Sequence, residues 1–174
     1  ALPAAPRHLV IVLRPYEALF VSAYRKRAED NAVPPFAELV PRFLAMDFGW
    51  PDLIETLRDQ LKPDQLTVLR YSQRGQSRDL LVRLVPELAN VDLKEPHQLV
   101  NQSATDAALE VLQGQYRSGV ALDRKDWKKV IEDHAECTAR LGVAEFSVAE
   151  KARLEARDQS DADRLTRMSG ISFC

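Results

Sequence analysis

The chain has little cysteine: Cys137 and Cys174 are the only two in 174 residues, and no C-x-x-C occurs. That excludes a disulfide framework and makes a reducing, cytoplasmic setting the expectation, with a single bridge left open. Charge of either sign is not in excess, at −2 net with a pI near 6.0. No basic field is available to draw nucleic acid nonspecifically, and no polybasic run suits an anionic membrane. Long apolar runs are missing too; the run Leu9–Leu13 is far too short to cross a bilayer. No signal-peptide pattern and no internal repeat occur. None of the six glycines sits in a Gly-x-Ser-x-Gly turn, which removes the usual nucleophile context of a hydrolase.

What remains is an ordinary globular balance, 45% hydrophobic and 29% charged, long enough for one full core. His8-Leu-Val-Ile-Val-Leu13 is apolar on both faces and rich in β-branching, so it predicts a buried, parallel strand. Pro15 can open a helix, and Leu19, Phe20, Ala23 and Tyr24 then fall on one helical face. Phe36, Leu39, Val40, Phe43 and Leu44 predict a second helix. After Gly49, the stripe Trp50, Leu53, Ile54, Leu57 and Leu61 predicts a third.

Leu66–Tyr71 reads as a second strand. A helix with Leu80, Leu81, Leu84 and Val85 inward should stop at Pro86. Asn90–Gln102 reads as a loop. Ser103-Ala-Thr-Asp106 resembles a capping box for a helix to about Arg117. Asp123 caps the next helix, whose stripe Trp127, Val130, Ile131, His134 and Leu141 runs to a stop at Gly142. Ser147-Val-Ala-Glu150 opens the last helix. Strand-helix-helix-strand order implies an α/β fold with a parallel sheet. The expectation is one domain over residues 1–174, with an α/β core part at 1–89 and a helical tail at 103–174.

The chemistry-bearing stretch is Ile11 to Arg25. A parallel strand delivers its C-terminal end to a helix N-terminus, where free amides and the helix dipole favour an anion. Arg14 sits at that junction and can grip a phosphate through two parallel hydrogen bonds. Ser22, about two turns on, lies on nearly the same face as Pro15 and can add a hydroxyl donor. Arg14 as a phosphate ligand is preferred to a surface ion pair. Ser22 is open between a ligand contact and a small residue at a helix–sheet contact. Tyr24 and Arg25 are read as packing and solvation.

This segment resembles the 3′-phosphate-binding segment of the sulfotransferases of bacterial type. The likeness rests on a strand ending in Arg14-Pro15, on Ser22 eight residues after the arginine, and on the wording Val21-Ser-Ala-Tyr-Arg25. Val68-Leu-Arg-Tyr71, Asn101-Gln-Ser103 and Phe146-Ser147 resemble later family segments in order. The resemblance implies a P-loop-NTPase-like parallel sheet, partial in this chain. It implies 3′-phosphoadenosine 5′-phosphosulfate as sulfuryl donor, with Arg14 and Ser22 at its 3′-phosphate. The acceptor would be a hydroxyl or amine on a small molecule or carbohydrate, with no metal.

Two departures qualify it. No Lys-x-Gly-Thr wording for a 5′-phosphosulfate loop occurs, and Ser72 stands where many members have an acid after the Arg-Tyr of the second strand. The chain opens Ala1-Leu-Pro-Ala-Ala-Pro6 without Met, so the expectation is an N-terminally incomplete domain that needs an upstream loop for turnover. No residue is assigned as catalytic base. The alternatives are a non-catalytic nucleotide-binding or scaffold module of the same fold and a small-molecule kinase-like phosphotransferase. Elsewhere, His134 and Cys137 share zinc-like spacing without a second pair, so His134 is read as a satisfied core histidine. His8 is read as structural, His97 has no identified partner, and the Asn101-Gln-Ser103 glycosylation pattern is set aside for a cytoplasmic chain. Trp50 and Trp127 are read as core, and the charged 150–167 segment as a solvated face.

Overall fold

A computed structural model of the chain describes residues 5–94 and 103–174. It is an α/β protein with a small parallel sheet in the order β1-β2-β3. The strands are β1 (His8–Leu13), β2 (Gln65–Arg70) and β3 (Ser172–Phe173). The helices are α1 (Tyr16–Asp30), α2 (Phe36–Leu44), α3 (Trp50–Leu61), α4 (Ser77–Leu84), α5 (Asp106–Arg117), α6 (Arg124–Asp133) and α7 (Val148–Arg167). The chain divides into two compact units, one of residues 1–15, 46–97 and 154–174, the other of 16–45 and 98–153. The aromatic faces of α1 and α2 belong with α5, while the end of the chain returns to the sheet.

In the first unit, β1 and β2 pair in parallel from His8↔Gln65 to Leu13↔Arg70, and β3 adds Thr67↔Ser172 and Val68↔Phe173. With side chains alternating along a strand, Leu9, Ile11 and Leu13 share a face with Leu66 and Val68. That face packs on Ile54 and Trp50 of α3 and on Leu165 of α7. The strand buried on both faces is β2, where Leu66 to Leu69 are all buried, and not β1, where only Leu13 is. Among the described residues β1 pairs with β2 alone, so it is an edge of this sheet and its faces are only half covered. β3, which the sequence reading did not predict, is short, and Cys174 extends its pairing by backbone bonds with Val68 and Arg70.

α3 starts at Gly49, whose N–H donates to Asp52 at 2.7 Å, with Pro51 in the first turn. The helix ends in a left-handed Lys62 (φ 45°). α4 forms, but Leu81, Leu84 and Val85 are 41–44% exposed rather than turned inward. This helix is eight residues long and ends before Pro86, too short to bring its whole stripe onto the sheet.

The second unit is built on aromatic and amide contacts. Phe20 stacks on Phe43 with centroids 4.6 Å apart, and Phe36 meets Tyr24 and Phe146 edge-on. Gln113, buried on α5, donates to the carbonyls of Ala28 and Asn31 and accepts from the Val33 N–H. It thereby satisfies the C-terminal end of α1, whose last carbonyls have no partners within the helix. Tyr116 adds a bond to the Glu29 carbonyl.

Two expectations change here. α5 is capped by Thr105, whose hydroxyl accepts the Ala108 N–H, and not by Ser103. Asp106 instead pairs with Arg25 and accepts the N–H groups of Leu141 and Gly142. α6 stops at Asp133 rather than running on to Gly142, because the 134–142 backbone is claimed elsewhere. The His134 carbonyl accepts from Thr105, and the Asp106 carboxylate draws Leu141 and Gly142 out of any helical ladder. Asp123 does cap α6, and Ser147 with Glu150 forms the capping box of α7.

Burial pushes the Asp106 carboxyl up, but the Arg25 guanidinium and the N–H groups of Leu141 and Val143 outweigh it and hold its pKa below the usual carboxylate range. A depressed pKa stabilises the fold above the unfolded value and loses that contribution as acid protonates the group. Replacing Asp106 by Ala should destabilise the chain by roughly 3–5 kcal/mol near neutrality, the range for breaking a buried pair. The gap between variant and parent, measured by urea unfolding, should narrow below about pH 4; a gap that stays constant into acid would contradict this. Ile54, fully buried between α3 and the sheet, should cost about 2–5 kcal/mol when cut to Ala. A loss under 1 kcal/mol in the same assay, far beneath that range, would contradict the packing described.

Candidate functional site

In open parallel sheets, ligands sit outside the carboxyl ends of the strands. All three strands of the first unit end at one cavity of about 290 Å³. Leu13 and Arg14 reach it from β1, Arg70, Tyr71 and Ser72 from β2, and Phe173 from β3. Trp50 of α3 and Asp158, Asp161 and Leu165 of α7 complete the wall, which is mainly apolar and aromatic. The register explains the gathering of arginines: Leu13 pairs with Arg70, so Arg14 emerges one step beyond the same rung.

Arg14 is half-buried, with its guanidinium carbon 5.0 Å from the Tyr71 ring centroid. Among the described residues it makes no ion pair. Arg74 also lies over Tyr71, at 4.1 Å, and Arg70 lies over Phe173, at 5.4 Å. Aromatic faces hold these cations without neutralising them, so their hydrogen-bond donors remain available to an anion.

The far wall is held by one face of α7. Arg157 donates to the Phe48 carbonyl at 3.0 Å, Asp161 accepts the Trp50 N–H at 3.2 Å, and Arg164 pairs with Asp52 at 3.0 Å. The Gly49 N–H, and then Arg164, hold the Asp52 carboxyl below the usual range. This grip fixes the start of α3 and with it the Trp50 side of the cavity.

Ser22, the second residue read from the sequence as a phosphate ligand, lies half-buried in α1 and belongs to the second unit. It is not among the residues lining this cavity. Tyr24 packs as expected and donates to the Pro34 carbonyl, whereas Arg25 is an ion-pair partner of Asp106 rather than a solvated side chain. His8 is structural, its Nε2 2.9 Å from the Thr67 hydroxyl. His134 is satisfied by the Val130 carbonyl at 2.9 Å, and Cys137 is exposed. His97, Asn101 and Gln102 lie outside the described residues. Among the described residues, no group of three or more His, Cys, Asp or Glu side chains could hold a metal, and no helix is long and apolar enough to cross a membrane.

No family model matches the chain, nor does any curated protein or solved structure.

The sequence reading missed Trp50, Arg70, Asp158 and Asp161 as cavity residues. A signal existed for the last two. Leu154, Asp158, Asp161 and Leu165 are spaced as one helical face, so two carboxylates interrupt a buried stripe. Asp161 is only 6% exposed and should resist truncation. Asp161→Ala is expected to lose about 1–3 kcal/mol in thermal or urea unfolding, because the Trp50 N–H is left without this acceptor. Asp161→Asn keeps an acceptor oxygen and should lose less; equal losses would show that this hydrogen bond is not the cause.

Proposed function

We propose that the chain is the 3′-phosphate-binding part of a sulfotransferase-like domain, with a P-loop-NTPase-like sheet of which β1 to β3 are a portion. In this reading, Arg14 grips the 3′-phosphate of 3′-phosphoadenosine 5′-phosphosulfate, Ser22 adds a hydroxyl donor, and a sulfuryl group passes to a hydroxyl or amine acceptor. The observation that carries it is the position of Arg14: a guanidinium without an ion pair among the described residues, at the carboxyl end of a parallel strand, lining a cavity beside Tyr71. A surface arginine in a structural role would more simply meet a carboxylate. Aromatic walls beside an arginine suit a ligand that joins a flat ring to a phosphate.

The part played by this chain is binding. Sulfuryl transfer spreads negative charge over the moving group, and its stabilisation needs cations and amide donors around the 5′-phosphosulfate. No Lys-x-Gly-Thr wording that would supply them occurs in these residues. The same fact favours, as second reading, a module that binds nucleotide without turning it over.

Titration calorimetry with adenosine 3′,5′-bisphosphate tests the assignment on the full chain. Arg14→Ala should weaken binding by roughly 2–4 kcal/mol. Ser22→Ala should weaken it by about 1.5–3 kcal/mol if its hydroxyl donates to the phosphate. Unchanged affinity in the Arg14 variant would reject the site, and unchanged affinity in the Ser22 variant would remove that residue from it.

A further inference from the structure

A phosphate monoester at neutral pH carries close to two negative charges on its three terminal oxygens. One guanidinium takes two of those oxygens through parallel hydrogen bonds. An oxygen and much of one charge are then left to be met by a second group. The turn after β2 supplies such a group. Tyr71–Gln73 is a 3₁₀ turn, and the Arg74 N–H closes it on the Tyr71 carbonyl. Residues three apart eclipse one another in such a turn. Arg74 therefore lies over the ring of Tyr71, its guanidinium carbon 4.1 Å from the centroid. Arg14 reaches the same ring from the end of β1, at 5.0 Å.

Two guanidiniums of like charge thus share one tyrosine, and among the described residues neither has an ion pair. The negative face of the ring offsets part of their repulsion, and an anion held by both offsets more. Local chemistry fixes the turn that carries Arg74. Gly75 takes the left-handed conformation (φ 66°) that other residues rarely adopt, and Asp79 accepts the Gln76 N–H at 2.7 Å. The Arg74 side chain itself is exposed. Solvent screening therefore keeps its contribution to about tenfold in affinity.

Building on the nucleotide reading above, we propose that Arg14 and Arg74 form a two-guanidinium clamp for a terminal phosphate monoester, with Tyr71 as the residue that positions both. Arg74 then sets the preference for a nucleotide that carries the 3′-phosphate over one that lacks it.

The test is titration calorimetry on the full chain, near neutrality and at fixed ionic strength. Adenosine 3′,5′-bisphosphate and adenosine 5′-phosphate are the two probes, and they differ only in the 3′-phosphate. Parent chain should bind the bisphosphate at least about 100-fold more tightly, about tenfold or more for each arginine. Arg74→Ala should weaken the bisphosphate about tenfold and leave the 5′-phosphate within about twofold. Tyr71→Leu, which removes the ring, should shrink the ratio between the probes, whereas Tyr71→Phe, which keeps it, should hold the parent's ratio. Circular dichroism of each variant checks that the fold is retained. A parent ratio that persists in Arg74→Ala, or an equal fall for both probes, overturns the clamp while nucleotide binding through Arg14 stands. Equal ratios in the two Tyr71 variants overturn the positioning by the ring. A parent chain that binds neither probe overturns the nucleotide reading and the clamp with it.

Discussion

The parallel register of β1 on β2 is the constraint on which the first unit depends. Pairing Leu13 with Arg70 sets Leu9, Ile11, Leu66 and Val68 on one face, and that face is what α3 and α7 cover. The same register brings two strand ends level, so that two arginines and a tyrosine leave the sheet together. A slip of one residue would turn every side chain of β1 to the other face. It would remove the core contact of Leu13 and separate Arg14 from Tyr71 at once. Core and candidate site therefore share one geometric cause.

The aromatic rings around the cavity have a part that reaches beyond packing. An arginine neutralised by a carboxylate is already satisfied, whereas one resting on a ring keeps its donors. Arg14 on Tyr71 and Arg70 on Phe173 are of the second kind. The carboxylates of the same cavity lie on α7, where Asp161 accepts the Trp50 N–H. Positive groups thus come from the strand ends and negative groups from the helix that covers them.

The second unit answers a different need. α1 ends in carbonyls that require partners, and Gln113 and Tyr116 of α5 supply them. Asp106 sits at the first turn of α5, where the helix dipole favours a carboxylate, and holds both Arg25 and the 141–142 backbone. One buried acid so determines where α6 can end and how the chain reaches the capping box at Ser147.

Local chemistry was enough to locate β1, β2, the helices α1 to α7 among the described residues and the junction at Arg14. β-branched runs, helical apolar spacing and the residues Asp123, Ser147 and Glu150 act over a few positions, and their meaning survives in any surroundings. Where partners are distant in the chain, the pattern was silent or misleading. Whether β1 or β2 is the buried strand depends on which one has neighbours on both sides. Leu81, Leu84 and Val85 form a good stripe, but nothing in a stripe says that another surface will reach it. The end of α6 was misread because Asp106, lying 35 residues before Leu141, outbids the helix for its N–H. Asp158 and Asp161 looked like solvated charge because most of the α7 sequence is charged, and only the packed chain shows that their side of the helix lines the cavity.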